Sequence, residues 1–156
     1  MKTLFVAALL LAASSVAANA ETFTFTSDNT VSNQVVAPVA GGDKPVAAAF
    51  FSGSSHVVYS SGRAATNAFR CANWSAAPGG VFDADAACTF EEPGGDSASI
   101  VAGCSFTNKD RTESDCWGAM DGLGGAWKGK TGTISWHAKN SADGTSGAAN
   151  GTGQWN

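Results

Sequence analysis

Four cysteines carry the clearest chemistry in this 156-residue chain: Cys71, Cys88, Cys104 and Cys116, at spacings of 17, 16 and 12 residues. A four-thiolate zinc site needs close pairs two to four residues apart, and none is present. An even number of widely spaced cysteines instead reads as two disulfides. The two histidines, His56 and His137, offer general-base chemistry. A base needs a partner within hydrogen-bond reach, and no Gly-x-Ser-x-Gly, His-Glu-x-x-His or His-x-His pattern supplies one. Carboxylates gather in two places, at Asp83, Asp85, Glu91 and Glu92 and at Asp110, Glu113 and Asp115. Neither follows the spacing of a calcium loop, and both read as solvated strand and turn surface. No metal and no cofactor is expected. The remaining resource is aromatic. Trp74, Trp117, Trp127, Trp136 and Trp155 are rings of the kind that hold sugars or apolar ligands when exposed, or fill a core when not. Trp117, Trp127, Trp136 and His137 form the expected ligand-binding set.

The elements that must position these groups are strands. Apolar residues recur at every second position, not every third or fourth. Phe23 and Phe25 share one face, as do Ala84, Ala86, Cys88 and Phe90, then Ile100, Ala102, Cys104 and Phe106, then Ile134 and Trp136. Charged and hydroxyl residues fill the positions between, as a half-buried sheet requires. By the same parity Trp117 points away from Cys116, and His137 away from Trp136. Gly-Gly and Asp-Gly pairs punctuate the strands at hairpin rhythm. Asp43-Lys44-Pro45 is a turn or the start of one short helix. The Ser/Gly-rich stretch 52–62 reads as the longest surface loop, with a short strand at 56–59 as its alternative.

Hairpin arithmetic then orders the cysteines. A turn centred on Gly79-Gly80 sets Cys71 opposite Cys88, and a turn centred on residues 109–111 sets Cys104 opposite Cys116. A middle turn at 93–96 would bring Cys88 near Cys104, making a row of four across neighbouring strands. Strands lie ~4.8 Å apart and a disulfide needs Cα atoms ~4.4–6.8 Å apart. Bridging Cys88 to Cys104 would strand the outer two, so the expected pairs are Cys71–Cys88 and Cys104–Cys116.

Composition bounds the partners. The formal charge is −4, with Lys and Arg scattered; without a basic stripe, nucleic acid is not an expected partner. Lys2, the apolar run at 4–11 and Ala18-Asn19-Ala20 have the order of a secretory signal peptide cleaved after Ala20. The apolar run is too short to span a bilayer, which takes roughly 20 residues, and no later run is longer. Residues 21–156 are then a single exported domain, periplasmic or extracellular, in which disulfides persist.

The C-terminal third is glycine-rich, with Trp127, Trp136 and Trp155 among the glycines. Repeated glycine kinks let a sheet curl into a barrel. The run GLGGAWKGKTG at 122–132, followed by the strand at 133–136, resembles the Gly-aromatic-Gly turn-and-strand pattern of allene-oxide-cyclase-like and dirigent-like eight-stranded barrels. With Cys116-Trp117-Gly118 it also resembles the end of small secreted bacterial proteins. The resemblance spans about forty residues and implies a fold without transferring a catalytic residue. The expected fold is all-β: a small antiparallel barrel of about eight strands in a meander, with a β-sandwich as the alternative. The expected function is non-catalytic binding of a small apolar or carbohydrate ligand, or of a protein partner. A cyclase- or isomerase-type enzyme using a barrel cavity and a structural envelope protein are the alternatives. Mass spectrometry of the exported protein should find Glu21 at the N-terminus; a mature chain beginning at Met1 would overturn the leader assignment.

Overall fold

The computed structural model describes residues 20–38, 46–76 and 79–156. The expected leader lies outside the described residues apart from Ala20, and so does the Asp43-Lys44-Pro45 segment. Eight strands run in chain order: β1 (Glu21–Ala37), β2 (Val46–Tyr59), β3 (Ala64–Ser75), β4 (Ala84–Glu91), β5 (Ser97–Phe106), β6 (Glu113–Gly124), β7 (Thr131–Asn140) and β8 (Ser146–Trp155). Each pairs antiparallel with the next, and β8 returns to β1 from Glu21↔Trp155 to Thr30↔Ser146. The sheet is therefore a closed barrel, and the sandwich alternative is set aside. Among the described residues no helix is long and apolar enough to cross a membrane.

Period-two alternation decides what the barrel encloses. Phe23, Val57, Phe69, Cys71, Cys88, Ile100, Met120, Ile134 and Trp155 all point inward and are buried. The alternate positions, including Thr22, Thr24, Thr133 and Thr152, face out and are exposed. A bulge between Val31 and Asn33 flips this parity in β1. Beyond it Gln34 and Val36 take the cavity side, and the Ser32 hydroxyl donates to the Phe50 carbonyl at 3.1 Å.

The inward glycines are places where another side chain needs the room. A Cβ at Gly153 would run into the Phe23 ring, and on the outer wall, opposite Trp117, one at Gly103 would run into the Phe82 ring. Close approach, more than curvature, keeps these positions small. The same logic corrects the reading of residues 52–62. Those as far as Tyr59 belong to β2, with a turn only over 60–63. Their first two inward residues are Gly53 and Ser55, which interrupt the apolar stripe before Val57 and Tyr59. Gly53 is inward because a Cβ there would collide with the Asp28 carbonyl and the Phe69 ring.

Both disulfides join directly opposed residues. Cys71 bridges Cys88, and Cys104 bridges Cys116, each with Cα atoms 4.1 Å apart. The expected straight row of four cysteines is not formed. The β4–β5 turn is tight, with the Glu92 N–H donating to the Asp96 carbonyl at 2.8 Å. That turn sets Cys88 opposite Ile100 and Cys104 opposite Ala84. At ~3.3 Å per residue, the two bridges are staggered by roughly 13 Å along the strands, the slant that barrel closure imposes.

Replacing Cys71 and Cys88 together by Ala should cost about 3 kcal/mol and lower the melting temperature by on the order of 10 °C. Non-reducing peptide mapping checks the pairing, and a peptide joining Cys88 to Cys104 would refute the register.

Candidate functional site

The two ends of the barrel are built differently. At one end large side chains close the floor. Trp127, on a 3-10 turn (Gly125–Trp127) after β6, is buried and stacks on Trp155 with ring centroids 5.3 Å apart. The Asp96 carboxylate pins that turn by accepting from the Ala126 N–H at 2.6 Å. Phe23 packs against Tyr59 at 5.7 Å, and Phe69 against Phe90 at 5.5 Å.

The polar element of this floor was not legible as such. Glu92 is buried, not part of a solvated acidic face, because it lies at the β4–β5 corner where the chain turns over the barrel end. Its Oε1 accepts from the Tyr59 hydroxyl at 2.7 Å and its Oε2 from Arg63 at 2.6 Å. The Arg63 guanidinium also lies 3.8 Å above the Tyr59 ring centroid. Two donors satisfy the buried carboxylate, which would otherwise be costly to desolvate. Burial pushes the Tyr59 phenol well above its ordinary value, and the Glu92 hydrogen bond and charge push it further.

At the other end the inward residues become small or polar, and a cavity of about 420 Å³ opens. Its wall carries both disulfides, with Ala86, Ala138 and Ala149 between larger groups. Phe25, Phe51, Phe69, Phe90, Ile100, Ile134 and Trp136 supply its apolar surface. Polar side chains concentrate at the mouth, including Asn29, Gln34, Asn140 and Ser141. The charged groups in the described lining are Asp110 and Arg111, adjacent in the β5–β6 turn. Asn108 stiffens that turn, its Oδ1 accepting from the Thr112 N–H at 3.0 Å and its Nδ2 donating to the Thr112 hydroxyl at 2.8 Å. Arg111 sits at φ 57° with its guanidinium 4.4 Å from the Phe106 ring centroid.

The expected ligand-binding residues are dispersed by this architecture. Trp136 lines the cavity. Trp127 belongs to the floor. Trp117 lies on the outer wall, 50% exposed, with its ring 6.4 Å from that of Phe82. His137 is also outside, and its Nδ1 meets Asp115 Oδ1 at 2.8 Å. Within the expected acidic groups, Glu113 pairs with Lys139 at 3.1 Å, and an Asp83 oxygen accepts from the Phe106 N–H at 3.0 Å. Among the described residues no group of three or more His, Cys, Asp or Glu is arranged to hold a metal ion. A second depression, about 790 Å³, is an open groove bordered by Trp117 and outward hydroxyls such as Thr24, Ser135 and Thr152. Its size reflects open solvent more than enclosure, so the interior cavity is the better-defined site.

No protein-family model, curated protein or solved structure matches this chain. The reading of the site therefore rests on its own geometry.

Tyr59 is the single tyrosine of the chain, so its ionisation can be followed by tyrosinate absorbance alone. Its folded-state pKa lies above the unfolded value of 10.0. The native state thus holds the proton more tightly; the resulting stability is complete below pH ~10 and declines as pH rises beyond it. The native protein should stay protonated at a pH where the denatured chain has ionised, and coincident titrations would contradict the buried contact with Glu92.

Proposed function

We propose that the protein is a binding protein that takes a small apolar molecule into the barrel from its open end. The observation that carries this reading is the cup itself: a sealed aromatic floor beneath a cavity of about 420 Å³ with a mostly apolar wall. That volume falls in the ~300–1,000 Å³ range of small-molecule sites, which combine apolar walls with a few placed polar groups. The adjacent Asp110 and Arg111 leave the mouth without a dominant charge, which favours a neutral ligand. An apolar wall favours hydrocarbon or aromatic surface over a sugar ring, whose hydroxyls would find few partners there.

The cyclase- or isomerase-type alternative would use the same cavity. It is the weaker reading because the described deep wall carries no histidine or carboxylate to move a proton. The assembly alternative draws on a separate feature. Beyond the ladder to β8, the outer part of β1 pairs only with β2 among the described residues, and Val35 is exposed on its outward face. An exposed apolar edge of this kind is a template for strand addition. The oxidising compartment that two disulfides call for fits export to a periplasm or beyond.

The neutral fluorophore N-phenyl-1-naphthylamine should bind with enhanced emission and quench Trp136. Ala49→Phe, which fills the middle of the cavity, should weaken that binding roughly tenfold or more while leaving the melting temperature within a few degrees. Absence of binding by the native protein, or full binding by the filled variant, would count against the cup as the site.

A further inference from the structure

The floor of the cup holds an unexplained polar pair. Ser55 on β2 and Asn67 on β3 are directly opposed across the ladder, both inward, and 2% and 4% exposed. Ser55 Oγ and Asn67 Oδ1 have no hydrogen-bond partner among the described residues. Leaving such atoms buried and unsatisfied costs roughly 1–3 kcal/mol each, and native proteins carry few of them. Packing does not account for their presence. A Val and a Leu would fill the same positions in a core otherwise made of Phe, Ile, Met and Trp.

Their surroundings suggest what they face. Ser55 lines the large cavity and also a smaller gap of about 30 Å³ beneath it, where Asn67 lies. Phe25, Phe90, Ile100 and Ile134 line both spaces, so the gap is the deep end of the cup. With a rise of ~3.3 Å per residue and a tilt of ~35–45°, Ser55 lies roughly 20 Å below the cavity-lining Ala47. The gap has room for one hydroxyl-sized group. The one other hydroxyl on it, that of Tyr59, already donates its proton to Glu92. A trapped water would find two partners here, the low end of the usual two to four. A hydroxyl carried on carbon needs only those two, donating to Asn67 Oδ1 and exchanging a second hydrogen bond with Ser55 Oγ.

We infer that Ser55 and Asn67 form a polar anchor at the base of the cavity, selecting a neutral, elongated apolar ligand that enters with a terminal hydroxyl leading. The inference rests on the cavity being the binding site. A carboxylate or ammonium end is disfavoured, because no charged side chain among the described residues lines the gap to offset its desolvation. An alkane-like or ether end is disfavoured because it leaves Asn67 Oδ1 unpaired, and a site built to hydrogen-bond a hydroxyl rejects analogues that lack it.

The test is displacement of N-phenyl-1-naphthylamine by n-octanol and by its isomer heptyl methyl ether, which has the same size but no proton to donate. The ether is the more apolar of the two, so a purely greasy cavity would prefer it. Wild-type protein should prefer octanol by roughly tenfold. Ser55→Ala and Asn67→Ala, made singly, should each shrink or reverse that preference while still binding the fluorophore. The wild-type ratio stands as the test on its own if a variant does not fold. Fluorophore binding with equal or stronger displacement by the ether, or an octanol preference unchanged in both variants, would overturn the anchor and leave the cup intact. If the fluorophore and both C8 compounds all fail to bind, the cavity reading falls and the anchor with it.

Discussion

Closure of the ladder between β1 and β8 is the constraint on which everything else depends. Ten residue pairs, from Glu21↔Trp155 to Thr30↔Ser146, turn a meander with two open edges into a barrel with an inside and an outside. Without them, alternation would yield only a sheet with one greasy face. With them, eight half-apolar strands gather their inward side chains on a common axis, and the question becomes whether those side chains fill the space. Close approach makes the seam possible. Gly151 and Gly153 on β8 lie beneath the Phe25 and Phe23 rings of β1, and a Cβ at either position would strike a ring.

The interior is filled at one end and hollow at the other because residue size is graded along the strands. On β2 the inward series runs Ala47, Ala49, Phe51, Gly53, Ser55, Val57, Tyr59, with its bulk toward the floor. On β8 the inward residues are small from Gly147 to Gly153 and end in Trp155. Trp155, Trp127, Tyr59 and Phe23 therefore concentrate at the closed end, each burying a large area. The buried Glu92 carboxylate, held by Tyr59 and Arg63, fastens the β4–β5 corner to the β2–β3 corner of the same end. Rigidity at the floor lets the opposite end remain open without loss of register.

Period-two patterning made the strand class, the outward Trp117 and His137, and the two cysteine pairs legible, because each depends on parity or on a local turn centre. What was hidden depends on neighbours remote in sequence. Residues 52–59 looked like loop because Gly53 and Ser55 hold their first two inward positions, and nothing local shows that Phe69 and the Asp28 carbonyl need that space. The stagger between Cys88 and Cys104 was in fact legible: a turn at 93–96 sets Cys88 opposite residue 101, three short of Cys104, and the structure, with its turn centred on Gly94, sets it opposite Ile100. Glu92 sat among acidic neighbours and looked solvated; only the corner geometry turns it inward. Asn67 carried no signal at all, since a polar residue in a strand ordinarily faces water. Its interest comes entirely from being inward and unpaired.

The placement of the disulfides completes the logic of a hollow barrel. All four cysteines line the cavity, not the packed floor. In a filled core, contacts between facing side chains hold opposite walls in place. Around a cavity those contacts are missing, and the wall has only its ladder and local packing to resist opening. Covalent bridges between adjacent strands, β3 to β4 and β5 to β6, restrain the wall where the core cannot. They also stabilise the barrel by limiting the unfolded chain, a contribution that does not require filling the cavity. Emptiness above and cross-links around it are thus two sides of one arrangement: a barrel that keeps room for a guest needs stability from something other than filling that room.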